Sequence, residues 1–139
     1  MIIAVLFWLL VMVTCAHAAV FGGKDGRWAA VLVIAASLLT LPATALGRGW
    51  GRTELAILAV DVMLLIGLYA LMLRSRRYWP IWMVGFHVVA VASHLGTIVV
   101  PDFTPAIYRA LGSLWAIPML LTMMIGIERD RKALAPYVR

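Results

Sequence analysis

Five histidine or charged side chains stand inside long apolar stretches of this 139-residue chain: His17, Asp61, His87, His94 and Arg109. Each is costly in hydrocarbon, which makes each a candidate for chemistry. A carboxylate that meets an imidazole, Asp61 with His94, is the minimum for a proton-handling or quinone site. The same pair also makes a plain hydrogen bond between two helices. Arg109 is a second partner for Asp61 if its long side chain reaches outward. Two imidazoles on separate helices, His17 and His87, are the minimum for bis-histidine ligation of a haem or another tetrapyrrole. The sequence requires no cofactor, and no spacing of Cys, His and carboxylates suits a metal such as zinc. Ser37, Thr40 and Thr44 share a helix face, where bonding back to their own carbonyls accounts for them. P-loop, GxSxG, HExxH and dinucleotide fingerprints are lacking, so no catalytic residue is assigned.

Helices in a membrane have to position these groups. Hydrophobic residues make up 65% of the chain and charged residues 13%, and the mean hydropathy is +1.02. Soluble domains carry about 25% charge, and a chain this short cannot hide so much apolar surface from water. The composition points to an integral membrane protein and excludes a disordered chain or a polar nucleic-acid module. A bilayer core about 30 Å thick needs about 20 apolar residues. Five stretches qualify, about 2–21, 28–46, 54–73, 79–100 and 106–127, and a charged tail begins at Glu128. The connections Gly22–Arg27, Gly47–Arg52, Arg74–Arg77 and Pro101–Pro105 are short, so consecutive helices must run antiparallel. The expected fold is all-α: a single domain over 1–139 with five transmembrane helices in an up-down bundle.

Charge sets the expected orientation. Twelve Lys and Arg stand against six Asp and Glu, a net +6. On the alternating topology nine basic residues fall on one side: Lys24, Arg27, Arg74, Arg76, Arg77, Arg129, Arg131, Lys132 and Arg139. Only Arg48, Arg52 and Arg109 fall on the other. Basic loops stay in the cytoplasm, which predicts an outside N-terminus and a cytoplasmic C-terminus in a bacterial inner membrane. Ala16-His17-Ala18 looks like a signal-peptidase site, but the positive start of a secretory signal is missing. Cleavage would also invert every later loop, so the first helix is expected to be retained. Cys15 stands alone and makes no internal disulfide.

Depth follows from helical rise. Asp61 lies ~10 Å, and His94 ~9 Å, from the outer ends of consecutive helices at 1.5 Å per residue, so they share a level. His17 and His87 lie ~6 Å and ~12 Å from the inner ends on the same rise. His87 and His94, seven residues apart, fall on one helix face with Ala90 and Thr97.

The remaining signals concern the helices themselves. Trp28, Trp50, Trp79 and Trp82 stand near helix ends, where head groups favour indoles. Trp8 and Trp115 lie deeper and face either the bundle or lipid. Pro42 and Pro118 predict kinks, and the pairs Ala92/Gly96 and Gly112/Ala116 predict close helix approach. Met119, Met123 and Met124 predict an adaptable surface that serves core contact or lipid.

The stretch Arg74-Ser75-Arg76-Arg77-Tyr78-Trp79-Pro80-Ile81-Trp82, running into Gly85-Phe86-His87 and Ser93-His94-Leu95, resembles small uncharacterised polytopic proteins of bacterial inner membranes. The resemblance covers most of the chain, including Gly22-Gly23-Lys24 and the tail. It implies a native bacterial polytopic protein and carries no activity, cofactor or functional residue. Small size and few polar groups lead to the expectation of an accessory or scaffold subunit of a larger membrane complex. Its partners would be the lipid bilayer and other membrane subunits or a second copy, and not nucleic acid. Two alternatives stay open: a quinone-, haem- or pigment-associated redox subunit using His17, His87 and His94, and a small proton-coupled transporter using Asp61 and His94.

Overall fold

A computed structural model describes residues 2–46, 50–99 and 105–134, with backbone alone over 3–4, 43–46, 50–54, 97–99 and 105–113. The described residues form five helices and no strand: α1 (Ile2–Phe21), α2 (Gly23–Leu46), α3 (Trp50–Arg74), α4 (Trp79–Val99) and α5 (Pro105–Leu134). Each helix packs on its sequence neighbours, and α5 returns to α1, closing a ring. In a ring of five alternating helices the first and last must run parallel, so α1 and α5 end at the same level. The segments Gly23–Pro42, Leu55–Arg74 and Trp79–Gly96 are long and apolar enough to cross a membrane.

Three helix boundaries differ from the sequence expectation: α3 begins at Trp50, within the expected Gly47–Arg52 connection, and the other two are the start of α2 and the end of α5. The polar run after Phe21 is not a six-residue turn, because α2 begins at Gly23 and only Gly22 separates it from α1. Gly23 takes a positive φ of 63°, a backbone conformation that costs glycine nothing. Gly22 and Gly26 lie against the Ala18 carbonyl, where a Cβ on either would overlap backbone. The Arg27 guanidinium donates to the Ala19 carbonyl at 3.3 Å, serving one of the acceptors that a helix C-terminus leaves open. At the other end of the chain, the charged tail continues α5 to Leu134. Arg131 pairs with Glu128 one turn earlier at 2.7 Å, which suits helix continuation. The connections at 47–49 and 100–104 lie outside the described residues, as does Arg139.

The core is built from small and flexible side chains. Cys15, Ala18, Ala29, Ala30 and Val33 are buried and let helix backbones approach closely, the contact that works where lipid competes with every apolar surface. Leu68, Met83, Leu120, Met123 and Ile127 fill the wider gaps. Met119 and Met123 therefore belong to the core, while Met124 is half-buried. The outward faces carry Leu6, Leu9, Met12, Val13, Met63 and Ile66, all exposed, as expected of helices solvated by lipid.

Ala92 and Gly96 do not mark a helix contact: both are exposed, and a Cβ on Gly96 would meet open space. The buried face of α4 runs instead through Met83, His87, Ala90, Val91 and His94. Gly112 lies outside the described side chains. Pro42 and Pro118 sit inside α2 and α5. Trp28 and Trp82 are exposed near helix ends, but Trp79 is only 3% exposed. Its side chain packs against Gly126, where a Cβ would collide with it. Trp50 has no described side chain.

Candidate functional site

Asp61 and His94 meet. The His94 Nε2 donates to Asp61 Oδ2 at 2.8 Å, across the α3–α4 seam where counting residues had put both at one level. His87 Nε2 donates to the backbone carbonyl of the same Asp61 at 2.9 Å. The geometry of a helix explains the double contact. A helical side chain leans toward the N-terminus of its helix, while its carbonyl points toward the C-terminus. Asp61 therefore presents a carboxylate at one level and a carbonyl at another. On antiparallel α4, His94 and His87 lie on one face, two turns apart, and reach the two levels in order. Both imidazoles are buried.

These three residues form one wall of a cavity of about 350 Å³ at the centre of the ring. Its lining comes from the middle turns of all five helices and is mainly apolar, with Phe7 and Trp8 on α1 and Met119 and Leu120 on α5. Trp8 thus faces the bundle interior; Trp115 is half-buried. Ser37 and Thr40 also line the cavity. Each hydroxyl donates to its own helix, to Val33 and Ala36 at 2.8 Å, so each can only accept from anything in the cavity. Thr44, Thr97 and the Arg109 side chain lie outside the described residues, so the suggested Arg109–Asp61 contact does too.

His17 and His87, the candidate haem ligands, bond to different partners. Each spends its Nε2 elsewhere: His87 on the Asp61 carbonyl and His17 on Glu128 Oε1 at 2.7 Å. The two rings turn toward different neighbours, one on α5 and one on α3. Glu128 is the partner that sequence reasoning missed. The missed signal was ring closure: parallel α1 and α5 bring His17, four residues before the end of α1, to the last turns of α5. Arg131 completes the group, pairing with Glu128 and stacking on the Phe21 ring at 4.1 Å. Among the described residues no group of three His, Cys, Asp or Glu could hold a metal ion.

The bond from His17 holds the Glu128 carboxyl below its ordinary 4.5; desolvation opposes this and Arg131 adds to it. A carboxyl depressed by folding stabilises above its unfolded pKa, and that contribution disappears as pH falls through the lower folded value. Acidifying the purified protein through the carboxylate range should therefore loosen the α1–α5 seam. Glu128→Gln should flatten that part of the profile in thermal unfolding scans, and an unchanged acid limb would count against the assignment.

A second polar cluster ties the same end together. Asp25 at the start of α2 accepts from the Ser75 hydroxyl at 2.7 Å and pairs with Arg77 at 3.8 Å. Arg77 also reaches Asp130 on α5 at 2.6 Å. The start of α2, the α3–α4 connection from Arg74 and the end of α5, which carry eight of the nine basic residues assigned to one side, thus meet physically at one end of the bundle. Comparison of this chain with protein-family models, with curated proteins and with solved structures finds no match.

Proposed function

We propose that the chain is a five-span protein of a bacterial inner membrane, with its N-terminus outside and its basic end in the cytoplasm. In this reading the central cavity takes the head group of a lipophilic molecule of the quinone class. The carrying observation is the Asp61–His94 pair on the wall of an otherwise apolar cavity. Ligand cavities combine apolar walls with a few convergent polar groups, at volumes of about 300–1,000 Å³. A quinone carbonyl accepts a hydrogen bond and a quinol hydroxyl donates one. The Asp61 carboxylate, with its roughly four acceptor sites, can take a quinol hydroxyl while it accepts from His94, whereas a quinone carbonyl must draw the His94 N–H away from Asp61. Phe7 and Trp8 supply aromatic surface for the ring.

Titration with a short-chain quinone, read as quenching of tryptophan fluorescence, tests this. Saturable quenching is expected. Ala90→Phe, which fills the cavity from α4, should weaken it at least about tenfold, a loss of about 1.4 kcal/mol. Equal affinity in that variant, with its thermal unfolding unchanged, would remove the cavity from the account.

The proton-coupled carrier remains a second reading, supported by the same carboxylate within reach of the cavity. It predicts substrate-driven proton movement in proteoliposomes that Asp61→Asn abolishes. The scaffold reading draws on the exposed apolar faces, which lipid contact accounts for equally well.

A further inference from the structure

A second cavity, of about 480 Å³, opens between the first turn of α4 and the last turns of α5, at the end that carries the ion-pair network. Its walls are Tyr78, Trp79, Trp82 and Ile125, and its polar groups are Thr122, Arg129 and Asp130. The charges in this groove are not alike. Asp130 is already neutralised by Arg77. Arg131, close by on the same helix, is engaged by Glu128 and Phe21. Among the described residues Arg129 has no hydrogen-bond or ion-pair partner, and the groove is left with one uncompensated guanidinium. Trp82 and Tyr78 are exposed at 63% and 81%, where amphipathic rings favour the head-group layer. Trp79 closes the inner wall on Gly126, and its buried indole N–H has no partner.

We propose that this groove is a site for an anionic phospholipid. Its phosphate would lie on Arg129, and the upper part of its acyl chains would run between Trp82 and Ile125. Charge complementarity favours this occupant: guanidinium binds phosphate through paired N–H donors, and the surrounding basic turns favour anionic over zwitterionic lipid. The inference does not depend on what the central cavity holds.

Delipidated full-length protein in neutral detergent, examined by native mass spectrometry with added phosphatidylglycerol, tests it. The parent chain should retain phosphatidylglycerol in preference to phosphatidylcholine. Arg129→Gln should cut that occupancy about fivefold, the scale of one basic residue at an anionic surface, and Trp82→Ala should also lower it. Arg76→Gln, an exposed arginine outside the groove at the same end, should leave occupancy unchanged. Equal loss in Arg76→Gln would mean diffuse charge and overturn the site. Equal retention of phosphatidylcholine, or equal thermal stabilisation by inorganic phosphate alone, would overturn the assignment to an anionic lipid.

Discussion

Asp61→Leu should leave the bundle as stable as the parent, or more so, while removing ligand binding at the central cavity. Two terms decide the sign. Hydrogen bonds between membrane helices contribute on average about 0.6 kcal/mol in double-mutant cycles. Replacing an aspartate by leucine near the middle of a span gains about 3 kcal/mol on insertion scales. The neutral His94 N–H that loses this acceptor costs about 1–3 kcal/mol more, and the apolar gain offsets it together with the lost bond. His87 is indifferent to the change, since it binds the backbone carbonyl of residue 61, which every amino acid retains.

His94→Leu behaves differently. It strands the Asp61 carboxylate, only 20% exposed, without its donor. Breaking a buried pair from one side costs about 3–5 kcal/mol when burial is complete, and somewhat less here. The double variant Asp61→Leu/His94→Leu should recover to the parent or above it. Unfolding in mixed micelles measures all three. If Asp61→Leu proved more destabilising than His94→Leu, the pair would be a structural fastener and the functional reading of the cavity would fail.

Gly126→Leu should separate α4 from α5 and abolish the folded bundle. A Cβ at this position falls on the Cβ and Cγ of Trp79. The nearer of them, the Cβ, is fixed to the backbone and no rotamer change moves it, so the helices themselves must shift. Overpacking a close-packed core costs about 1–3 kcal/mol per insertion and occasionally more. Here the intrusion meets the α4–α5 seam directly and also disturbs the lipid groove that Trp79 closes. Trp79→Gly removes the obstacle, Cβ included, at a cost of its own, at least about 3–5 kcal/mol for a buried tryptophan. The double variant Trp79→Gly/Gly126→Leu should nevertheless be more stable than Gly126→Leu alone, because leucine then fills the space the indole left. Thermal unfolding in detergent, followed by circular dichroism, checks the order. Additive losses would show that the two residues do not share a surface.

Much of this structure is legible along one dimension. Apolar run lengths against bilayer thickness predict five helices, and the described residues form five. Residue rise with alternating direction places Asp61 and His94 at one depth, and they touch. The same alternation gathers Lys24, Arg77 and Arg131 at one end, where the turns and tail bond to each other. Hydroxyls at Ser37 and Thr40 bond back to their own helix as their spacing in an apolar run suggests.

Rotation about each helix axis was not legible. A helix that is apolar all round carries no amphipathic signal to say which face turns inward. For this reason Ala92 and Gly96 face outward, Trp79 is buried rather than interfacial, and Trp8 turns to the cavity. His17 finds Glu128, 111 residues away, only because α5 closes the ring on α1. His87 finds a backbone carbonyl, an acceptor that every position carries and no residue type announces. Depth is fixed by counting along the chain, whereas azimuth is settled by all five helices at once, since turning any one of them changes its contacts with both neighbours.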